Sequence, residues 1–283
     1  MVSAPLLPNG QSIKERIGLY GLAGIGKTHQ YFNIAKWHHD LGSDAMFYAV
    51  NTDTSFEVVY SNPEFCELPN VQWTDCVNFQ DMYNATKRYN GQLRPQDWLC
   101  IDLQDDAWSL VQDEYARIKA RESGLDLDDL SELWISGGET KKYPIEGWDW
   151  GTPNARYRTL TNNYILRGPG HRFIIHRQAD ILQPSSNMKE DAVSAQNRKM
   201  FGPVGVKPGG QKEDPSRWHT ILHLSSKGVS KEGVHWQAIS TAKERWGARR
   251  RMGHVGSDDM VRGEELKDFF LDYLVGVAGW SMG

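Results

Sequence analysis

Gly21, Gly26, Lys27 and Thr28 stand in the spacing Gly-x-x-x-x-Gly-Lys-Thr inside the run IGLYGLAGIGKTH. Glycines at those positions let a backbone curl so that successive N–H groups point inward, and a helix that starts there adds the positive end of its dipole. The chemistry this suits is the holding of a triphosphate. Lys27 would reach the β- and γ-phosphates, and the Thr28 hydroxyl would coordinate Mg²⁺. An apolar run precedes the motif and a helical segment follows it, which is the context a phosphate-binding loop (P-loop) needs. Gly21, Leu22, Ala23, Gly24, Ile25, Gly26, Lys27, Thr28 and His29 are therefore the expected nucleotide-binding segment, with ATP and Mg²⁺ as the expected cofactors. A glycine-rich turn without a ligand is the plain alternative. No Asn-Lys-x-Asp sequence is present to read guanine, which favours ATP over GTP.

Phosphoryl transfer also calls for a carboxylate across from the loop, on the metal side. The run WLCID ends in Asp102, which makes Asp102 the expected metal-side acid beside Thr28. Asp105 and Asp106 follow and read as helix-capping residues. A further strand candidate runs into AVNTDTSFE, placing Asn51, Asp53 and Glu57 near the carboxyl edge of the sheet, where ligands bind in open α/β folds. Asp53 is the preferred water-activating residue by general-base logic, and a turn-forming Asp is the alternative. In RFIIHRQAD, strand alternation puts His176 and Gln178 on one face, where either could touch the γ-phosphate, and turns Arg177 the other way. A satisfied polar pair at a strand end is the competing reading. The expected catalytic set is Lys27, Asp53, His176 and Gln178.

These residues need strands to carry them. Strands are expected at 17–20, 45–50, 71–77, 98–101 and 172–175, and helices at 27–41, 80–88, 106–121 and 152–166. That alternation reads as a parallel sheet with crossover helices. Residues 123–151 mix an acidic run with Gly-Gly and tryptophans and read as an insertion; residues 183–215, rich in proline and charge, read as a mobile loop. Residues 218–224 and 233–239 are an expected hairpin, and 263–277 an amphipathic terminal helix. The expected organisation is one core over 1–245, followed by a basic segment and terminal helix over 246–283. With 283 residues, of which 39% are hydrophobic and 24% charged, the chain can bury one substantial core. A formal charge of −4 argues against a uniformly basic surface but leaves room for a local basic patch. Cys66, Cys76 and Cys100 are too few and too irregularly spaced for a disulfide framework or zinc site, and read as buried reduced thiols. No apolar stretch approaches the ~18 residues of a membrane span and no signal peptide opens the chain, so the expected location is cytoplasmic, without membrane partners.

Lys243, Arg245, Arg249, Arg250 and Arg251 crowd one short stretch around Trp246. Cations with an interleaved aromatic suit single-stranded DNA, and equally an acidic protein surface.

Taken together, the P-loop, WLCIDLQDDAW, FIIHRQAD and STAKERWGARR resemble bacteriophage RecA-like ATPases. The likeness is to the phage nucleotide-binding proteins grouped with AAA-type and annealing-associated recombination ATPases. It covers roughly residues 15–247, and the ending DYLVGVAGW is similar to actinobacterial-phage members. The resemblance implies a RecA-like P-loop NTPase: an α/β fold with a mostly parallel central sheet flanked by helices. It implies ATP hydrolysis coupled to DNA recombination or replication, in a homo-oligomer in the host cytoplasm, with phage recombination or replication proteins as partners. In such assemblies a Lys or Arg pair of one subunit reaches the γ-phosphate held by its neighbour. On that basis Lys243 and Arg245 are the trans fingers, with Arg249, Arg250 and Arg251 as DNA contacts; a solvated basic turn is the alternative. One departure stands out. Where RecA has a catalytic glutamate, the closest register here gives Asn51, so water activation falls to Asp53 or turnover is slow. Three functions follow from this reading: a DNA-stimulated recombination or annealing ATPase, a replicative helicase-like motor, or a nucleotide-dependent scaffold with negligible turnover.

Overall fold

The computed structural model describes residues 2–4, 13–122, 124, 150–181, 191–202, 204–229, 235–243, 274–275 and 279–282. In chain order the first half gives β1 (Val2–Ser3), β2 (Arg16–Gly21), α1 (Lys27–Asp40), β3 (Phe47–Asn51), α2 (Ser55–Tyr60), β4 (Val71–Asp75), α3 (Phe79–Gln92), β5 (Trp98–Asp102) and α4 (Gln104–Glu122). The second half gives α5 (Gly151–Thr159), β6 (His171–Asp180), α6 (Ala192–Phe201), β7 (Val206–Pro208), α7 (Asp214–Arg217), β8 (Thr220–Val229), β9 (His235–Lys243) and β10 (Ser281–Met282).

Strands covered on both faces read as unbroken apolar runs. FYAVN and WLCID behave this way, with every residue of β3 and β5 buried. The main sheet has the order β4-β3-β5-β6-β2-β8-β9. All pairs from β4 to β8 are parallel, β9 closes the edge antiparallel to β8, and β7 adds antiparallel to the far end of β6. The fold is thus α/β with a mostly parallel central sheet. One face carries Leu19, Phe47, Ala49, Cys100, Phe173 and Ile175 and packs against α1 through Tyr31, Phe32, Ile34 and Ala35. The other carries Tyr20, Val50, Leu99, Ile101 and Ile174 and packs against side chains of α3, α4 and α5 such as Met82, Val111 and Tyr157. Phe32 is fully buried, which contributes on the order of 2 kcal/mol. The Tyr31 hydroxyl, equally buried, donates to the Tyr48 carbonyl at 2.8 Å and so carries no unsatisfied donor into the core.

All five expected core strands are present, but the chain departs from expectation in several places. The stretch 183–215, expected as a mobile loop, contains α6, β7 and the start of α7. Asp191 caps α6 by accepting from the backbone N–H groups of Val193 and Ser194, and two of the prolines that suggested a loop, Pro208 and Pro215, stand at the end of β7 and in the first turn of α7. The expected hairpin does form from β8 and β9, but β8 is also a parallel neighbour of β2 within the main sheet. The described residues at the end of the chain pack on this core. Trp280 is buried against Trp98 and His171 at ring distances of 5.5 and 4.9 Å, Leu274 is fully buried in the same core, and β10 pairs with β1. The helix expected over 152–166 is α-helical only through Thr159 and then opens into a π-helical turn, Leu160–Ile165. Cys66 is exposed; Cys76 and Cys100 are buried, and all three are free. The insertion at 123–151 and the terminal helix at 263–277 lie largely outside the described residues.

Candidate functional site

The turn between β2 and α1 is held by glycine chemistry at two points. Gly26, the residue before α1, has φ 93°, a left-handed conformation that side chains disfavour. Gly21 lies so close to β8 that a Cβ there would meet the Leu224 carbonyl oxygen at 2.4 Å. Lys27 opens α1 and its Nζ donates to the Gly21 and Leu22 carbonyls at 3.1 and 2.7 Å, placing the ammonium within the curl of the loop. The loop walls a cavity of about 430 Å³, lined by Gly24, Lys27 and Thr28 together with Asp53, Asp102 and Arg177. Ala23, Gly26 and His29 also line it. Burial lowers the pKa of Lys27, and the carboxylates of Asp102, Asp105 and Asp53 oppose that effect.

Asp102 ends β5 on the face that α1 covers. The Thr28 hydroxyl donates to its Oδ2 at 2.6 Å and the Ser55 hydroxyl donates to the same oxygen at 3.0 Å. Each hydroxyl has one proton to give. The longer Thr28–Ser55 and Ser55–Asn51 approaches, 3.3 and 3.4 Å, are therefore secondary. Oδ1 of Asp102 is buried and has no hydrogen-bond partner among the described residues. Burial and then the negative charge of Asp53 push the Asp102 carboxyl up to about 7, against the pull of the two hydroxyls and Lys27. Asn51 pairs in register with Asp102. It is fully buried, and its Nδ2 donates to Asp75 Oδ1 at 2.5 Å, so it braces the strand ends. Asp53 lines the cavity, where its Oδ1 accepts from the Ser55 backbone N–H at 3.0 Å. Thr54 between them has φ 62°, an uncommon conformation for a β-branched residue. Thr52 knits the edge further, accepting from Leu103 N at 2.9 Å and donating toward Asp106 Oδ2 at 3.1 Å.

On β6 the expected alternation holds, but the cavity-facing side is the opposite one. Phe173 and Ile175 face α1, so Arg177 does too, and it is Arg177 that lines the cavity. His176 points into the other layer and is fully buried. Its Nδ1 lies 3.1 Å from the Gly209 carbonyl, which can only accept, so Nδ1 keeps the proton. Burial pulls its pKa down to about 3, leaving a neutral ring. Gln178 sits on that same side, 3.3 Å from His223 Nε2. Neither His176 nor Gln178 is among the cavity-lining residues. Asp105 and Asp106, read from sequence as capping residues, are the ion-pair partners of Arg177 at 3.4 and 2.8 Å.

Sequence reasoning passed over Ser55 and Thr52, small polar residues in a connection with no one-dimensional signal, and set Arg177 on the face away from the cavity.

Lys243, the last residue of β9, pairs with Ile221, whose neighbour in β2 is Gly18, whereas the carboxyl end of β2, Gly21, lies level with Leu224 and Ile239. The Lys243 backbone therefore sits toward the end of the sheet away from the Gly21–Thr28 loop of its own chain. Arg245, Arg249, Arg250 and Arg251 lie outside the described residues. Among the described residues there is no group of three or more His, Cys, Asp or Glu placed to hold a metal ion, and no helix long and apolar enough to cross a membrane. No protein-family model matches the chain, and no curated protein matches it.

Proposed function

We propose that the chain binds ATP with Mg²⁺ at the Gly21–Thr28 loop and hydrolyses it, as a RecA-like ATPase coupled to DNA recombination or single-strand annealing. The observation that carries this reading is the Thr28–Asp102 contact at 2.6 Å beside the Gly21–Thr28 loop, with the second Asp102 oxygen buried and, among the described residues, unpartnered. A carboxylate and a hydroxyl that meet beside a phosphate-binding loop are the donor set a hard cation takes, and an unpartnered buried oxygen is costly unless a ligand completes it. Thr28 and Asp102 would hold Mg²⁺, which when bound neutralises charge on the phosphate oxygens and on Asp102 itself. The loop N–H groups and the α1 terminus bind the phosphate chain, and Lys27 exchanges its carbonyl partners for phosphate oxygens. Asp53, at the cavity wall, orients or deprotonates the attacking water. Lys243 and Arg245 serve a neighbouring subunit of a homo-oligomer, and Arg249, Arg250 and Arg251 contact single-stranded DNA.

A second reading, a nucleotide-dependent scaffold with slow turnover, draws on Asn51, an amide fully buried between Ser55 and Asp75 where the resemblance implies a catalytic glutamate. ATPase rate with and without single-stranded DNA separates the two: stimulation supports the recombination ATPase, and tight ATP binding with negligible turnover supports the scaffold. Lys27→Ala is the control, with an expected loss of about a hundredfold or more in turnover. An unchanged rate in that folded variant would remove the P-loop reading altogether. Mixing Lys27→Ala with Arg245→Ala protein tests the shared site, since only a mixed interface joins an intact loop to an intact finger.

A further inference from the structure

Three features of Arg177 converge. Its strand, β6, lies between the P-loop strand β2 and the acid strand β5, so its carboxyl end opens between Lys27 and Asp102. Strand parity turns the side chain to the α1 face, and it lines the same cavity as Lys27. Its guanidinium is about half exposed and is clasped by two carboxylates, Asp106 at 2.8 Å and Asp105 at 3.4 Å. Asp105 also accepts from the Arg177 backbone N–H at 3.1 Å, and Gly209 N donates to the Arg177 carbonyl at 2.7 Å, so the backbone is fixed while the side chain is held only by ions.

We propose that Arg177 is a second phosphate-binding cation of this cavity, one that meets the terminal phosphate of a nucleoside triphosphate and makes no contact with a diphosphate. The proposal rests on the P-loop reading above. A guanidinium has five N–H donors in a planar fork, which matches phosphate oxygens and leaves donors over for a carboxylate. Asp105 and Asp106 belong to the first turn of α4, where the helix dipole already favours negative charge, so they can release Arg177 without being left uncompensated. Lys27 and Arg177 also face one cavity as like charges, and after burial the charge of Arg177 is among the influences that lower the Lys27 pKa. An anion bridging the two cations relieves that repulsion. A diphosphate seated in the loop ends at Lys27; the third phosphate extends toward the β6 end, where Arg177 stands.

The test is calorimetric titration of the full chain in Mg²⁺ with ADP and with a β,γ-imido ATP analogue. Wild type should bind both. Arg177→Ala should lose about tenfold or more in affinity for the triphosphate analogue, the scale of a charge-assisted hydrogen bond, while its ADP affinity stays within about twofold. Parallel loss for both nucleotides, or no loss for either, would leave the P-loop reading standing and overturn the role of Arg177. Wild-type protein that binds neither nucleotide would remove the P-loop reading and the proposal with it. Should Arg177→Ala melt early for want of its clasp to α4, Arg177→Gln keeps the chain length and must show the same triphosphate-selective loss.

Discussion

Asp97 and Asp102 bracket the same strand, β5, are both buried, and have opposite surroundings. At the amino end, Asp97 Oδ1 accepts from Met46 N at 2.8 Å and Arg94 Nη2 at 2.9 Å. Its Oδ2 accepts from Arg94 N at 2.7 Å and Arg94 Nε at 3.1 Å. At the carboxyl end, Asp102 has two hydroxyls on one oxygen and, among the described residues, no partner on the other. Among the described residues no arginine hydrogen-bonds to it, and Lys27, the cation whose charge acts on it, is occupied with loop carbonyls. A buried carboxylate that serves structure is surrounded by donors, because a charge taken out of water must be paired. One that is left short of donors, at the edge where a glycine loop opens a cavity, is poised for a ligand.

The widest separation between the two acids should be in turnover. Under the proposed ATPase function, Asp102→Asn should cut Mg²⁺-dependent hydrolysis by about 10³-fold, a loss of about 4 kcal/mol in the transition state. Asp97→Asn should leave the rate per folded molecule within about twofold. Equal damage from both would mean that β5 acts only as a support.

Stability should divide them the other way. Asp97→Ala takes the acceptor from the part-buried backbone N–H groups of Met46 and Arg94 and removes one of the two ion partners of Arg94, Asp44 being the other, so urea unfolding should show a loss of about 2 kcal/mol. Asp102→Asn should show none. Its pH dependence sharpens the point. The folded chain holds the Asp102 proton up to about pH 7, while an unfolded chain releases it near pH 4. Between those values the folded state binds more protons, so stability falls as pH rises, and the loss is complete above the folded pKa. Asp102→Asn removes that dependence. Its stability relative to wild type should rise from near zero at pH 4 to about 2 kcal/mol at pH 8, relaxation reducing the full linkage value. Asp214, also buried and pushed up to about 7, titrates in both proteins and cancels in the difference.

How much of this could be read in one dimension depends on the range of the interaction. The loop at Gly21–Thr28 and the acid at Asp102 were legible because strand, loop and helix follow one another locally, and an apolar run ending in Asp marks a strand end. Arg177 was half legible. Alternation correctly set it against His176 and Gln178, but which face of β6 looks toward the cavity depends on where α1 packs, a tertiary fact. Ser55 and Thr52 had no periodicity to betray them, since a small polar residue in a connection looks the same whether or not it touches a carboxylate. The helix Ala192–Phe201 was hidden by its charges and by prolines on either side, although Asp191 stood in the capping position. Trp280 joins the core by packing on Trp98 and His171, a contact that no local pattern encodes.

The finest test of the contrast is Ser55→Ala, which removes one of the two donors to Asp102 and touches no residue of the Asp97 cluster. With only Thr28 left on Oδ2, the Asp102 carboxylate is less well held and its proton is released at higher pH. A metal ion must displace that proton, so in the proposed ATPase the Mg²⁺ concentration giving half-maximal rate should rise about threefold at pH 7, a cost under about 1 kcal/mol. At pH 8.5 the carboxyl has lost its proton in both proteins and the gap should close. Ser55→Thr, which keeps the hydroxyl, should behave as wild type. A gap that persists at pH 8.5 would show Ser55 acting through something other than the charge on Asp102, with its 3.4 Å approach to Asn51 as the next contact to examine.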